Sequence, residues 1–367
     1  MADNKVRVAL VYGGMSGEHS VSCVTAASVI TALNRERFDV VPVGITRSGH
    51  WVPGSMEPTS GFDNDFDVQV PESDASLMFS MDGQHHLLRM GSEGYDDLGA
   101  IDVVFPLLHG PFGEDGTIQG LFEMAQVPYV GCGVLASSAG MDKVATKVML
   151  EAQGIPVAPY ISVSLRQWTT DEAAVRDHIN STLRYPLFVK PARAGSSLGI
   201  SKVHDESELA SAMEKAGSVD PKILVETGLS GHEIECGVLG GLEGSRPRAS
   251  VLGEIVKDGA EWYDYETKYW ATENYHMEIP ARVSDRATAV LRDVAVRVFE
   301  ILGCEGLARV DFFLTDSGQP VVNEVNTMPG FTAFSMYPIL WEKTGVPYTD
   351  LVSTLIDLAC SRPLGLR

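Results

Sequence analysis

The sequence predicts an α/β fold spread over two or three domains, and three observations lead to it. The chain has 367 residues, enough to build more than one hydrophobic core. Its N-terminal apolar run, VRVALVY, passes through a glycine-rich loop into an apolar helix, which is how a parallel α/β unit opens. Strand-like and helix-like segments then alternate to the C-terminus without an internal repeat. The 44% hydrophobic and 8% aromatic content is that of a soluble globular protein. A net charge of -21 argues against a nucleic-acid partner, because binding a phosphate backbone needs a basic face. Nothing reads as a signal peptide, and no apolar stretch approaches the ~18 residues of a membrane span, so a cytoplasmic location without membrane contact is expected. The five cysteines, Cys23, Cys132, Cys236, Cys304 and Cys360, are scattered and lack C-x-x-C spacing, which points to packed, reduced thiols.

In chain order, Val6 to Tyr12 reads as a buried strand, GGMSGEHS as a loop, Val21 to Leu33 as a helix and Val40 to Ile45 as a second strand. Periodicity lapses over 48–99, where acidic and turn residues predict an exposed, irregular insertion. Ile101 to Leu107 is a strand ending in LHGPFGEDGTIQG, and a first domain boundary is expected between Tyr129 and Gly140. A helix from Asp142 to Gln153 is stopped by Gly154 and Pro156. PLFVK, GISKV, KILVE and EIECGVL are strand-like. Ser284 to Leu302 carries a helical stripe ended by Gly303, and Asp350 to Ala359 is a last amphipathic helix.

Two strands near the C-terminus, Leu307 to Leu314 and Pro320 to Asn326, flank the turn Asp316-Ser317-Gly318. Period two puts Arg309 and Asp311 on one face, and Glu324 and Asn326 on the matching face of the partner. A turn symmetric about Ser317 and Gly318 sets Asp311 opposite Glu324 and Arg309 opposite Asn326, with Cβ atoms about 5 Å apart. Facing carboxylates repel, so either a hard divalent cation sits among Asp311, Glu324 and Asn326, or the face is solvated with Arg309 as counterion.

Four further segments could carry chemistry. In VKPARAGSSLGISKV, Lys190 ends a strand and Gly195 to Gly199 turns back, offering N–H groups, hydroxyls and a positive charge to a phosphate, or forming an ordinary hairpin. No GK[ST] follows, so it is not a P-loop. In ILVETGLSGHEIECGVL, the strand end at Glu226 and the start at Glu233 could hold an adenine edge and ribose hydroxyls, or be solvated edge glutamates. WYDYETKYW, 262–270, reads as a lid bringing Lys268 and Tyr269 to a site, or as a packed surface loop. GGMSGEHSVS lacks G-x-G-x-x-G spacing, and Glu18 would repel a pyrophosphate; it can pair with a helix N-terminus or hold a substrate ammonium.

Taken in order, GGMSGEHSVS, LHGPFGEDGTIQG, MDKVATK, VKPARAGSSLGISKV, ETGLSGHE, YDYETKY, LARVDFFL and NEVNTMPGFTAFSMYP resemble the motif series of the D-alanine:D-alanine ligases, a family of the ATP-grasp superfamily. The resemblance runs from about Val8 to Pro338 and leaves out chiefly the acidic stretch. It implies a three-domain ATP-grasp fold: a Rossmann-like substrate domain over 1–138, a small lobe over 139–228, and a large lobe over 229–367 with a lid loop at 257–280. Lys143, Lys190 and Lys268 would contact ATP, and Ser197 would belong to the phosphate flap. Glu226 and Glu233 would hold adenine and ribose, and Asp311, Glu324 and Asn326 would bind two Mg²⁺, with Mn²⁺ as the alternative ion. Glu18 would take the ammonium of the first D-alanine and His109 would lie near its carboxylate, with Ser196 and Tyr269 linking flap and lid to Glu18. Arg309 and the Gly330 N–H would form the oxyanion hole, and Ser335 and the Met336 backbone would receive the second D-alanine.

The implied reaction phosphorylates one D-alanine carboxylate with ATP and lets the amine of the second attack the acyl phosphate, for peptidoglycan precursor synthesis. The implied partners are therefore small molecules, with a homodimer as the family's usual assembly. Thr227-Gly228 stands where a basic or bulky pair is expected, so adenine contacts there are expected from the backbone. A D-alanine:D-lactate ligase of the vancomycin-resistance type is the nearest alternative, disfavoured by the intact YDYETKY. A non-catalytic nucleotide-binding regulator is disfavoured by the presence of Arg309, Asp311, Glu324 and Asn326, and an NAD-dependent oxidoreductase stands further off.

Overall fold

The computed structural model describes residues 5–58, 68–257 and 275–363. Strand β1 (Val6–Gly13), helix α1 (His19–Ala32) and strand β2 (Phe38–Ile45) form the expected opening unit, with β2 parallel to β1 and Val8 opposite Val40. Gly13 has a φ of +94°, and a Cβ there would lie 2.2 Å from the Ile45 carbonyl oxygen. Only glycine lets the strand end turn so sharply into the loop.

Over its described residues, 48–58 and 68–99, the acidic stretch is not the irregular insertion that its composition predicts. Strand β3 (Trp51–Pro53) pairs with β2, and β4 (Ser76–Phe79), β5 (His86–Gly91) and β6 (Gly94–Ala100) form an antiparallel sheet of their own. Leu77, Phe79 and Leu87 point inward, and Phe79 meets Trp51 and Phe122 edge-on at 6.2 and 6.1 Å. Strands of three to seven residues, each with one or two inward apolar groups, are too short to stand out against acidic neighbours. Strand β7 (Val103–Pro106) completes the first sheet on the far side of β1, giving the order β3-β2-β1-β7.

Three helices follow: α2 (Thr117–Met124), α3 (Val134–Met141) and α4 (Lys143–Ala152). Asp142 caps α4, its carboxylate accepting from the N–H groups of Val144 and Ala145. The second sheet is wholly antiparallel and built from β8 (Tyr160–Ser164), β9 (Leu187–Pro191), β10 (Ser201–Val203) and β11 (Lys222–Thr227) in the order β10-β9-β11-β8. Helices α5 (Leu165–Thr170), α6 (Glu172–Thr182) and α7 (Leu209–Val219) accompany it, and Ile179, Leu209 and Met213 share a core with Ile223 and Val225.

The third sheet joins β12 (His232–Leu239), β13 (Arg248–Lys257), β14 (Tyr275–Glu278), β15 (Leu307–Leu314) and β16 (Pro320–Asn326) in the order β14-β13-β12-β15-β16. Alternation along β12 sends Ile234, Cys236 and Val238 to one face, where they pack against Leu291, Val298 and Leu302 of α8 (Asp285–Leu302). Gly303, at φ +67°, ends α8 as the sequence predicts. The opposite face of the sheet carries Glu233, Glu235 and Gly237, and helix α9 (Met336–Lys343) lies on it. A Cβ on Gly237 would come within 3.0 Å of Trp341 Nε1 and 3.1 Å of the Tyr337 ring, so the bare glycine lets α9 settle onto the strand. Helix α10 (Tyr348–Ser361) then leaves this sheet, and Leu351, Val352, Leu355 and Ile356 join Val8 and Leu10 in the core of the first sheet. Leu150 of α4 lies in the core of the third sheet. The cores thus interleave segments across the expected divisions at 138 and 228.

Candidate active site

The strand pair β15–β16 has the register the sequence predicts at its functional end: Arg309 faces Asn326 and Asp311 faces Glu324. The route to that register differs. Next to the turn the pairing is one residue shorter, with Phe312 opposite Val322, and Asn323 is the extra residue of a bulge. Without it, the turn-end register would set Asn323 against Asp311 and Glu324 against Val310, on the face toward α8. The bulge therefore returns Glu324 to the face of Asp311.

In that arrangement the Arg309 guanidinium donates from Nε to Asp311 Oδ1 at 2.7 Å and from Nη2 to Oδ2 at 2.8 Å, and its Nε is 2.9 Å from Glu235 Oε2. Burial works against its charge, but the carboxylates of Asp311 and Glu235 win and raise its pKa. Asn326 Nδ2 lies 2.9 Å from Asp311 Oδ2, and Glu324 is 3.4 Å from the Lys143 ammonium. The carboxylates of Asp311 and Glu324 on facing strands, with the Asn326 amide oxygen beside them, offer oxygen ligands of the kind that fits a hard divalent cation. Glu235 was not singled out from the sequence, although it stands two residues from Glu233 on the same strand face.

The opposite wall comes from the second sheet and α4. Glu226 is buried, with Oε1 2.5 Å from the Lys190 ammonium and Oε2 2.8 Å from that of Lys147. Burial pushes this carboxyl upward, but the two lysines outweigh it and hold it down at about 2. Both carboxylate oxygens of Glu226, the residue expected at adenine or ribose, are paired with lysines, and the side chain lines the cleft. The N–H groups of Thr227 and Gly228 are likewise donated, to Pro159 and Pro186, so these two donors do not face an adenine edge. Lys147 is the residue missed here. It sits four positions after Lys143 in the same helix, the spacing that puts two side chains on one face. Lys143 Nζ donates to the Ala194 carbonyl at 2.9 Å and so reaches the base of the glycine-serine turn.

That turn meets the N-terminal loop directly. Ser196 Oγ donates to Glu18 Oε1 at 2.6 Å, across 178 positions of sequence. Ser196 and Ser197 both have positive φ, +50° and +59°, which non-glycine residues adopt at a cost and which marks functional turns. Ser16 Oγ accepts from the Glu18 N–H and donates to the His109 carbonyl, joining this loop to the one after β7. A Cβ on Gly110 would come 2.8 Å from Glu18 Oε2. His109 lines the cleft, but its ring is satisfied by Thr25 Oγ1 at 3.2 Å and the Met328 carbonyl at 3.1 Å, and burial keeps it neutral against the pull of Glu18. It is a wall of the pocket rather than a free donor to a carboxylate.

Glu114, unremarked in the sequence, bridges two loops. It accepts from Gly110 N–H at 2.7 Å and from Met328 N–H at 3.1 Å. Burial first, then the nearby Glu18 carboxylate, push its carboxyl up to about 8. The Met328 to Ser335 loop continues past Gly330 to the N-terminus of α9, where Ser335 Oγ accepts from Thr332 N–H at 3.1 Å.

Glu18, His109, Lys143, Lys190, Ser196, Ser197, Glu226, Glu233, Arg309, Glu324, Asn326, Gly330, Ser335 and Met336 all line one cleft of about 420 Å³ between the second and third sheets, closed at one end by the N-terminal loops. Asp311 lies just beneath its surface, 9% exposed. Lys268 and Tyr269 lie outside the described residues, as does all of 258–274 within the lid expected over 257–280; the strands on either side, β13 and β14, are paired with Ile255 opposite Met277.

Residues 7–132 match the family model described as the D-ala D-ala ligase N-terminus, and residues 149–357 the one described as the D-ala D-ala ligase C-terminus. Among curated proteins, the D-alanine–D-alanine ligase of Kineococcus radiotolerans is 50% identical, with 99% of both chains covered. That of Nocardia farcinica is 49% identical at the same coverage. Among solved structures, the VanG D-Ala:D-Ser ligase of Enterococcus faecalis superposes with a TM-score of 0.82 at 34% identity, covering 97% of this chain and 100% of that one. The D-alanine–D-alanine ligase of Coxiella burnetii does so with a TM-score of 0.80 at 31% identity, covering 97% and 94%. A cleft walled by two antiparallel sheets, a glycine-serine turn bonded to an N-terminal glutamate, and matches along almost the whole sequence agree: the chain belongs to the D-alanine–D-alanine ligase family and has its ATP-grasp fold.

Proposed function

We propose that this protein joins two D-alanine molecules into D-alanyl-D-alanine at the expense of ATP, through an acyl phosphate, for peptidoglycan precursor synthesis. The bond between Ser196 and Glu18 carries the reading, because it sets the phosphate turn directly against a carboxylate suited to a substrate ammonium. ATP lies between the two sheets, with Lys143 and Lys190 near its phosphates and Glu233 at the ribose. Glu226 holds Lys190 in place by charge and is itself paired with Lys147 on its other oxygen. Glu18 orients the first D-alanine so that its carboxylate meets the γ-phosphoryl group. Asp311, Glu324 and Asn326 would hold two Mg²⁺, which when bound neutralise charge on the transferring phosphoryl group.

The γ-phosphoryl group passes to the carboxylate oxygen and ADP departs. The neutral amine of the second D-alanine, its carboxylate held by Ser335 and the first N–H of α9, attacks the acyl carbon; the C–O bond to phosphate breaks, and the departing phosphate takes up the proton the amine loses. Arg309 and the Gly330 N–H stabilise the tetrahedral oxyanion, one such donor being worth ~3 kcal/mol. Lys268 and Tyr269, from the lid segment, close the site against water, which would otherwise hydrolyse the acyl phosphate. A homodimer and a cytoplasmic location belong to the same reading; among the described residues no helix is long and apolar enough to cross a membrane.

The test is phosphate release with ATP, Mg²⁺ and D-alanine, with L-alanine as control and D-serine or D-lactate as competing second substrates, and products identified by mass. D-Alanyl-D-alanine as the main product is expected. A mixed D-alanyl-D-serine or D-lactate ester product would move the assignment to a ligase of the resistance type, and absence of amino-acid-dependent release would overturn it. Light scattering reads the oligomeric state.

A further inference from the structure

His19 is fully buried at the start of α1, one residue from Glu18, and the reaction above gives it no part. Its Nδ1 lies 2.6 Å from the Gly14 carbonyl oxygen and its Nε2 3.0 Å from the backbone nitrogen of Val70. A peptide N–H can only donate, so Nε2 must be the acceptor and Nδ1 must carry the proton to Gly14; the two partners set the tautomer. Val70 belongs to the acidic stretch and is itself buried, in the core with Tyr12 and Val52. The strand ends are shaped to receive it, since a Cβ on Gly13 or Gly44 would come within 2.7 or 2.6 Å of a Val70 methyl group. Two residues on, Glu72 accepts from Ser48 Oγ at 2.8 Å and stands 3.3 Å from His50 Nδ1, which anchors the segment to the far side of β2. Residues 68–72 thus lie across the C-terminal ends of β1 and β2 and are fastened to the glycine loop through His19.

We propose that His19 is a positioning residue for the first-substrate site: the strap over 68–72 fixes the loop and first helical turn through His19, and so holds the Glu18 carboxylate where the substrate ammonium binds. The proposal rests on the assignment of Glu18 to that ammonium, and it gives the acidic stretch a task in the reaction. Ser196 fixes the Glu18 carboxylate from the flap side, and the strap fixes the backbone beneath it. Loss of the strap bears mainly on the first D-alanine, because the residues assigned to ATP, Lys143, Lys190 and Glu233, lie on other elements, while the group that aligns that substrate is loosened.

The experiment compares His19→Ala, His19→Gln, Glu72→Ala and Glu18→Gln in steady-state rates fitted for both D-alanine sites, with ATP affinity by titration and thermal unfolding alongside. His19→Ala should raise the first-site KM by roughly tenfold while ATP affinity changes less than about twofold, a split that general loss of structure would not produce. The glutamine variant, whose amide oxygen can accept from Val70, should recover part of the loss. Glu72→Ala, a surface change that loosens the strap without touching the core, should shift the same constant in the same direction by roughly twofold. If His19→Ala does not fold, the glutamine and Glu72 variants decide. An unchanged first-site KM in folded His19 and Glu72 variants, or an equal loss of ATP affinity, overturns the strap. If Glu18→Gln also leaves that KM unchanged, the assignment of Glu18 has failed, and the proposal falls with it.

Discussion

Glu226, with one oxygen on Lys190 and the other on Lys147, shows how this site uses charge at the level of single residues. Its depressed carboxyl contributes stability that is fully present above the ordinary value near 4.5 and is lost as pH falls toward about 2. Glu226→Ala leaves two buried ammonium groups without their carboxylate and should cost about 3–5 kcal/mol in urea unfolding at pH 7. Glu114 has the opposite sign. Its carboxyl, raised to about 8, holds a proton that the unfolded chain releases near 4.5, so its contribution is present at low pH and fades as pH rises from 4.5 to 8. Glu114→Gln should therefore fold and show a flatter stability profile over pH 5 to 8, read by thermal unfolding in a buffer series. Asp311→Ala and Glu324→Ala should each abolish Mg²⁺-dependent turnover in chains that remain folded by circular dichroism. Near-normal turnover in either would remove the cation from this hairpin.

At the scale of elements, two local devices aim the chemistry. The bulge at Asn323 turns Glu324 to the cleft, and the bare surface at Gly237 lets α9 lie close enough to present Ser335 and Met336. Gly237→Val places methyl groups against Trp341 and Tyr337, both fully buried, so α9 must move. Overpacking of this kind costs about 1–3 kcal/mol. The kinetic loss should fall mainly on the second D-alanine, whose carboxylate the proposed function assigns to the end of α9, with ATP affinity nearly unchanged in a binding titration. A proportional loss for ATP would mean that α9 serves the nucleotide instead.

For the molecule as a whole, three sheets meet around one cleft and α10 ties the ends of the chain together. Leu351, Val352, Leu355 and Ile356 are fully buried with the first sheet, each side chain worth about 1.5–3 kcal/mol. A chain ended at residue 346 should lose the cooperative unfolding transition of the first sheet and aggregate, which calorimetry and size exclusion would detect. Survival of that transition would show that the N-terminal unit carries its own core.

Much of this architecture was legible in the amino-acid order. The strands β1, β2, β9, β11 and β12 and the helices α4 and α8 with their glycine stops follow from apolar period and stop signals, which act between near neighbours; the pairing of Asp311 with Glu324 was expected from turn symmetry, but the bulge at Asn323 is what produces it. The acidic sheet was not legible, because its few apolar residues become a core only against Trp51 and Phe122. Nor was the pairing of Glu226 with Lys147 and Lys190, the burial that raises the Glu114 carboxyl, or the hold of Val70 on His19. Local sequence determined which segments are strands and helices and which residue types could do the chemistry. Which charges neutralise one another, and which polar groups lose water, was decided by distance between segments far apart in the chain, and only the folded structure sets those distances.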